Sequence, residues 1–232
     1  MVELLGLALW RFAGSMPIRT TYTPLGRPAA YDVGEVLVEL KSESILTTHL
    51  EVGYYEMSII GAGGGAGGGS WKSGHKHAGG GGGSGAGFVG VAWLSGGTYT
   101  FHCGAGGAGG ASGNTAGNNG YDGGDTIVKY NGLDLIFAQG GAGGYGARNS
   151  YSNLTPSGRI RSKGGVLTIN DGLRIDSYSV KTNGNDGVVA YDGAPGAAVD
   201  GVHGAGGRGY YKETGLVGGN GYIKVAYLGL EK

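Results

Sequence analysis

Runs of glycine constrain the fold of this chain more than any other feature. Glycine supplies 57 of 232 residues, against a usual share of about 7%, and it is concentrated in runs such as 61–69, 79–87, 104–110 and 140–146. Only 5 residues are proline and the glycines keep no strict triplet, which excludes collagen and proline-rich linkers. Because glycine loses the most backbone entropy on ordering, ordered runs need close main-chain packing to offset that cost.

The segments between the runs are typical of β-strands, because apolar and polar residues alternate along them. No stretch has a convincing helical period. Two-residue turns predict three β-hairpins, and Asn131-Gly132 suits a type I′ turn since both residues tolerate positive φ. The predicted hairpins are 88–94 with 98–103, 126–130 with 133–138, and 166–170 with 173–177; the predicted single strands are 36–40, 45–52, 54–60 and 222–228.

Because glycine runs recur between strands that must pair, the sequence predicts an all-β fold. We expect a β-sandwich-like scaffold that bears packed polyglycine II-type segments, with three residues per turn and every third position open to Ala or Ser facing outward. Disordered loops hanging from a sandwich are the alternative. Closing many such loops costs entropy repeatedly, which favours ordered packing.

The chain divides into an N-terminal arm or attachment segment, residues 1–33, and a glycine-rich β domain, residues 34–232. The apolar residues of the arm are too few in a row to span a bilayer, so membrane insertion is not expected. An atypical export signal is the alternative, although Glu3 stands where such signals carry a basic residue. The arm residues predicted to contact a partner are Leu4, Leu5, Leu7, Leu9, Trp10 and Phe12.

Charge and motif content favour a non-enzymatic protein without cofactors. Seventeen basic and seventeen acidic residues cancel, so nucleic acid is not an expected partner. Matches to G-x-G-x-x-G arise by chance at this glycine content and lack a following helix. The single cysteine, Cys103, is expected to be a buried small hydrophobe; pairing with His102 as a nucleophile is disfavoured because adjacent strand residues face opposite sides.

Two segments have weak metal-binding patterns. His75 and His77 share a strand face, yet a third ligand is not evident, which favours a polar loop tip. Residues 118–125 resemble one copy of a calcium-binding β-roll repeat, which needs several stacked copies. We therefore expect no metal site.

Aromatic residues beside the glycine runs are candidates for contact with a receptor or partner, because bare glycine cannot bury their rings and Tyr and Trp are favoured at interfaces. Capping the ends of the glycine segments is the alternative. With the two histidines of the polar loop, the candidates are Trp71, His75, His77, Tyr121, Tyr145, Tyr151, Tyr210 and Tyr211.

Residues 50–232 resemble the glycine-rich domain of phage tail-fibre and adhesin proteins and of some other virion and surface proteins. The resemblance rests on a strand that runs directly into glycines at 55–65, on 83–89, on 94–101 and on the closing segment 218–225. It implies a sandwich bearing glycine helices whose loops bind host receptors.

We therefore expect a phage virion structural protein of the tail-fibre or adhesin type, located on the virion. Its expected partners are other virion or fibre proteins and a host-surface glycan or protein, and its expected state is a homo-oligomer, a trimer by analogy with fibres. A purely structural subunit of a capsid, sheath or extracellular filament, without a receptor role, is the alternative, with an extracellular or cell-surface location.

Overall fold

The computed structural model describes residues 31–72, 75–148, 162–187 and 194–231. These residues form twelve β-strands, and none of them forms a helix. In chain order the strands are β1 (Val36–Leu40), β2 (Ser44–Leu50), β3 (Gly53–Ile60), β4 (Ser70–Lys72), β5 (His75–His77), β6 (Gly87–Leu94), β7 (Gly97–Cys103), β8 (Thr126–Tyr130), β9 (Leu133–Ala138), β10 (Leu167–Ile169), β11 (Arg174–Thr182) and β12 (Tyr222–Gly229).

Ten of these strands form two five-stranded sheets that pack together. The first has the order β1-β12-β3-β6-β11 and the second the order β10-β9-β8-β7-β2; β4 and β5 form a separate small hairpin. Every neighbouring pair is antiparallel. The predicted all-β, sandwich-like scaffold is confirmed.

The core lies between the two sheets and consists of the inward-facing residue of each alternating pair. Tyr55, Met57 and Phe88 come from the first sheet and Phe101 and Val128 from the second, and all are fully buried. Burying one large apolar side chain contributes about 1.5–3 kcal/mol. Side-chain packing therefore stabilises the sandwich in the ordinary way.

Two matched corners carry the chain from one sheet to the other, between β2 and β3 and between β6 and β7. In each, a glycine with positive φ begins the new strand, Gly53 at 157° and Gly97 at 154°. An added Cβ there would lie 2.6 Å from a tyrosine ring. Two residues later, Tyr55 and Tyr99 each donate a hydroxyl hydrogen bond, at 2.7 and 2.8 Å, to the carbonyl four residues upstream.

Only one of the three predicted hairpins forms. β8 and β9 pair around Asn131 and Gly132, whose φ values of 48° and 84° suit the predicted type I′ turn. The hairpin predicted across 88–103 is wrong, because β6 pairs with β3 and β11 whereas β7 pairs with β2 and β8. The hairpin predicted across 166–177 is wrong as well, because β10 and β11 lie in different sheets.

The glycine runs pack against one another beyond one end of the sandwich. Segment 61–69 donates its successive N–H groups to three different neighbours in turn, at 2.8–3.1 Å. Residues 61, 64 and 67 donate to carbonyls 86, 83 and 80; residues 62, 65 and 68 to 124, 121 and 118; residues 63, 66 and 69 to 219, 216 and 213. This period of three confirms the predicted polyglycine II-type packing.

Segment 61–69 also accepts hydrogen bonds from three further segments, so six segments surround it. The donors lie in segments 107–113 and 141–147 and at Gly207, and neighbouring members of the ring are hydrogen-bonded to one another. Segment 79–86 is a second centre, with partners that include 162–165, 184–187 and residue 196. We call this assembly of main-chain segments the glycine lattice.

The two central segments require glycine because no side chain fits between them and their neighbours. Residues 61–70 and 79–88 are all buried. A Cβ on Gly64 would lie 2.5 Å from the carbonyl carbon of Ala142. A Cβ on Gly68 or Gly82 would approach main-chain atoms equally closely. At the rim, Ala108 and Ala111 face solvent at the predicted spacing of three, while Gly107 and Gly110, each directly before one of these alanines, are buried.

Candidate binding surface at the end of the glycine lattice

The loops farthest from the sandwich form the candidate binding surface, which we call the distal end. Segment 61–69 leaves the sandwich at the end of β3, and the chain returns through 79–86 to β6. At the far end it reverses through β4 and β5, through 112–116 and through 210–212. Two isolated bridges, Ala116–Arg148 and Ser162–Gly187, join neighbouring segments.

Trp71 and Lys212 come together at this end, although they are distant in sequence. The Lys212 Nζ lies 3.8 Å from the centre of the Trp71 ring. Such a cation–π contact contributes about 0.5–2 kcal/mol. The Arg208 guanidinium lies 5.7 Å from the Tyr210 ring centre. Two aromatic rings at the distal end therefore each lie next to a positively charged side chain.

The tight turn that carries Lys212 is strained. Lys212 has φ of 59°, in the left-handed region that residues with a Cβ rarely adopt. The turn is held by a hydrogen bond from the Gly69 N–H to the Glu213 carbonyl, at 2.8 Å, and by a bridge between Ala78 and Tyr211. A shallow concavity is lined by the residues of the turn, Tyr210, Tyr211, Lys212 and Glu213.

The structure brings only part of the predicted contact set together. Trp71, Tyr210 and Tyr211 lie at the distal end with 38%, 37% and 40% of their surfaces exposed. Tyr121 and Tyr145 are exposed on the flank of the lattice, in segments that pair with 61–69. Tyr151 and the predicted arm residues Leu4, Leu5, Leu7, Leu9, Trp10 and Phe12 lie outside the described residues.

The two candidate histidines lie in the small hairpin at the distal end. β5 runs from His75 to His77 and pairs with β4, with Lys72 opposite His75 and Ser70 opposite His77. The His77 side chain is half-buried. Within the described residues, no group of three or more His, Cys, Asp or Glu side chains could hold a metal ion.

The acidic segment 118–125 supports the lattice through its side chains. Asn119, Asp122 and Asp125 accept hydrogen bonds through Oδ1 from the N–H groups of residues 146, 143 and 140, at 2.9, 2.7 and 2.9 Å. The same spacing of three that governs the main-chain bonds sets this ladder. Oxygen atoms that resemble calcium ligands in the sequence therefore bind glycine amides.

Cys103 is fully buried in the core, and its thiol lies 3.8 Å from the Leu40 carbonyl. Burial raises the pKa of the thiol to about 11. His102 faces the other side of β7 and is half-buried. The expectation that Cys103 is a buried small residue is confirmed.

Sequence reasoning missed Lys212 and Arg208 as members of the surface. Both lie in the segment GGRGYYKETG, which contains the tyrosines that were predicted. The signal was the dense alternation of aromatic and basic residues in a short break between glycine runs. The contact of Lys212 with Trp71 depends on lattice packing between segments more than a hundred residues apart.

No helix long and apolar enough to cross a membrane occurs within the part of the chain that the structure describes.

Fold and surface together define an all-β protein in which a side-chain-packed sandwich carries a main-chain-packed glycine lattice. A family profile described as a glycine-rich domain matches residues 41–229. The chain belongs to this glycine-rich domain family. Comparison with curated proteins gave no match.

Proposed function

We propose that the chain is a non-enzymatic phage virion structural protein, of the tail-fibre or adhesin type, whose distal end contacts a host receptor. The supporting observation is the cluster of Trp71, Tyr210, Tyr211 and Lys212 at the tip of a buried main-chain lattice. Residues 1–33 attach the domain to the virion or fibre in this proposal. No cofactor is required.

The physical case rests on preorganisation. Ordering many glycines costs about 1–2 kcal/mol of backbone entropy for each residue. Because this entropy is lost when the protein folds, the loops at the distal end are already ordered before a receptor binds. Binding then carries no further cost for ordering them. The strained φ of Lys212, 59°, is consistent with a turn held in one shape for contact.

The composition of the tip favours a host-surface glycan or an exposed protein loop as the receptor. Tyrosine and tryptophan supply rigid, amphipathic contact area at little cost in side-chain entropy. Arg208 and Lys212 add two positive charges, and Glu213 one negative charge, beside the aromatic rings. The receptor then meets an aromatic surface with a net positive rim.

Adsorption of the purified protein to cells from a panel of bacterial strains tests this proposal. Trp71→Ala and Tyr211→Ala each remove an exposed ring from the distal end. Each is expected to weaken adsorption about 30-fold or more, the effect of losing an interface hot spot. Tyr121→Ala and Tyr145→Ala show how far the surface extends along the lattice flank.

Tyr178→Ala is the matched control, because Tyr178 is 60% exposed on β11 of the sandwich and not at the distal end. It is expected to leave adsorption unchanged. Urea unfolding of each variant verifies that the fold is intact. Unchanged adsorption in the Trp71 and Tyr211 variants, together with loss of virion incorporation when residues 1–33 are deleted, would instead identify a purely structural subunit.

A further inference from the structure

The four edge strands of the sandwich differ in how they are protected from pairing with another chain. An edge strand presents unpaired N–H and C=O groups, and proteins protect such edges with bulges, charges, proline or short length. The edges are β1 and β11 in the first sheet and β10 and β2 in the second.

Three of these edges carry such protection. β1 has a register shift between Val36 and Val38 and contains Glu39. β11 has two register shifts and contains three charged residues, Arg174, Asp176 and Lys181. β10 is only three residues long.

β2 has none of these devices. Its seven residues, SILTTHL, contain no acidic residue, lysine, arginine or proline. They pair with β7 in one continuous register without a shift. Ile45 is 71% exposed and Leu46 is 36% exposed. A regular, β-branched, uncharged edge of this kind is a template for strand addition.

We propose that β2 pairs antiparallel with β2 of a second copy of this chain. The Tyr31 hydroxyl donates to the His49 carbonyl at 2.9 Å, so among the described residues the open part of the edge is 44–48. Pairing this segment with itself places its centre at Leu46. Ile45 of one copy then lies opposite Thr47 of the other on the outer face, and Leu46 lies opposite its own copy on the core side.

The absence of charge on this edge favours a second copy of the chain as the partner. When a strand pairs with itself, each side chain lies near the same set of side chains from the other copy. Any formal charge on the strand would then face the same charge nearby, which is destabilising. Residues 44–48 carry none. The contact joins the two second sheets into one continuous sheet across a twofold axis. This geometry predicts two copies, whereas the analogy with fibres predicts three.

The mass of the full chain in solution tests the inference, measured by light scattering after size-exclusion chromatography over a hundredfold range of concentration. We expect twice the mass of one chain. Ile45→Lys adds an edge charge with little loss of burial and is expected to yield single chains. The matched control is Leu133→Lys, since Leu133 is also 71% exposed but lies in β9, away from this edge.

The register is tested by disulfide trapping. Leu46→Cys is expected to give a disulfide-linked dimer on mild oxidation, whereas Leu133→Cys stays single, because only position 46 faces its own copy within bonding distance. A single-chain or three-chain mass for the unmodified protein overturns the inference. An Ile45→Lys variant that keeps the double mass overturns it too, and indicates a different contact surface.

Discussion

Gly64 illustrates what a single residue contributes to the lattice. Its N–H donates to the Gly83 carbonyl at 2.9 Å, and its carbonyl accepts from the Gly207 N–H at 2.8 Å. The space that a side chain would need is filled by the Ala142 peptide group. The glycine is therefore required by close approach of three other chain segments, with no positive φ involved.

Replacing Gly64 with alanine should destabilise the protein strongly. The new Cβ would lie 2.5 Å from the Ala142 carbonyl carbon, and the main chain on both sides is fixed by hydrogen bonds. We expect the free energy of unfolding to fall by about 3 kcal/mol, the upper end of overpacking costs. Equilibrium urea unfolding measures this change.

Gly96→Ala is the control for Gly64→Ala. Gly96 is exposed, and an added Cβ would make only an ordinary contact, 3.4 Å from the Val52 nitrogen. We expect a change within about 0.5 kcal/mol, as for most surface substitutions. Equal effects at the two positions would mean that the lattice is not closely packed.

The buried thiol of Cys103 gives a second prediction at the scale of one residue. Its pKa is raised to about 11 by burial, so at pH 8 the thiol is protonated as well as inaccessible. Because only the thiolate reacts with disulfide reagents, we expect negligible reaction of the native chain with Ellman's reagent at pH 8. One thiol per chain should react in urea. Fast reaction without urea would contradict the burial of Cys103 in the core.

At the scale of elements, alternation located the strands but not their partners. Residues 88–94 and 98–103 have the pattern of a hairpin, yet the chain turns a corner between sheets there. The pattern specifies which face of a strand is buried, and both arrangements bury the same face. A distinguishing signal was present in the order Gly97-Thr98-Tyr99, which repeats Gly53-Tyr54-Tyr55 at the other corner.

For the candidate surface, as for the strands, the sequence predicted individual residues but not which of them come together. Trp71, Tyr210 and Tyr211 could be named because an aromatic residue beside bare glycine has nowhere to be buried. Tyr121 fits the same rule but lies on the lattice flank. The sequence contains no local information on which loops share an end, because that depends on the direction of each lattice segment.

The side-chain ladder of residues 119, 122 and 125 gives a prediction for a pair of lattice segments. Asp125 Oδ1 accepts from the Gly140 N–H at 2.9 Å in a half-buried position. Asp125→Ala leaves that amide without its partner and is expected to cost about 1–3 kcal/mol. Asp125→Asn keeps the accepting oxygen and should cost less than half as much. Equal losses in urea unfolding would assign the effect to charge rather than to this hydrogen bond.

On the scale of the whole molecule, two kinds of packing stabilise one chain. The sandwich buries side chains such as Tyr55 and Phe101, whereas the lattice buries main chain with few side chains. The two parts are continuous, because β3 runs directly into segment 61–69 and segment 79–86 runs directly into β6. The proposed role, in which the lattice holds the distal end rigid, requires that the sandwich and the lattice unfold together.

Amide hydrogen exchange in the full chain measures whether they do. Amides that open only with the whole molecule exchange at a rate set by global stability. In segments 61–69 and 79–86 nearly every N–H donates within a buried main-chain network. We therefore expect the glycine amides of these segments, followed by NMR, to exchange as slowly as those of β3. The Gly132 amide, in an exposed turn, should exchange much faster.

If segments 61–69 and 79–86 exchanged within minutes while β3 stayed protected, the lattice would open independently of the sandwich. The distal loops would then have no fixed support, and preorganised receptor binding would lose its physical basis.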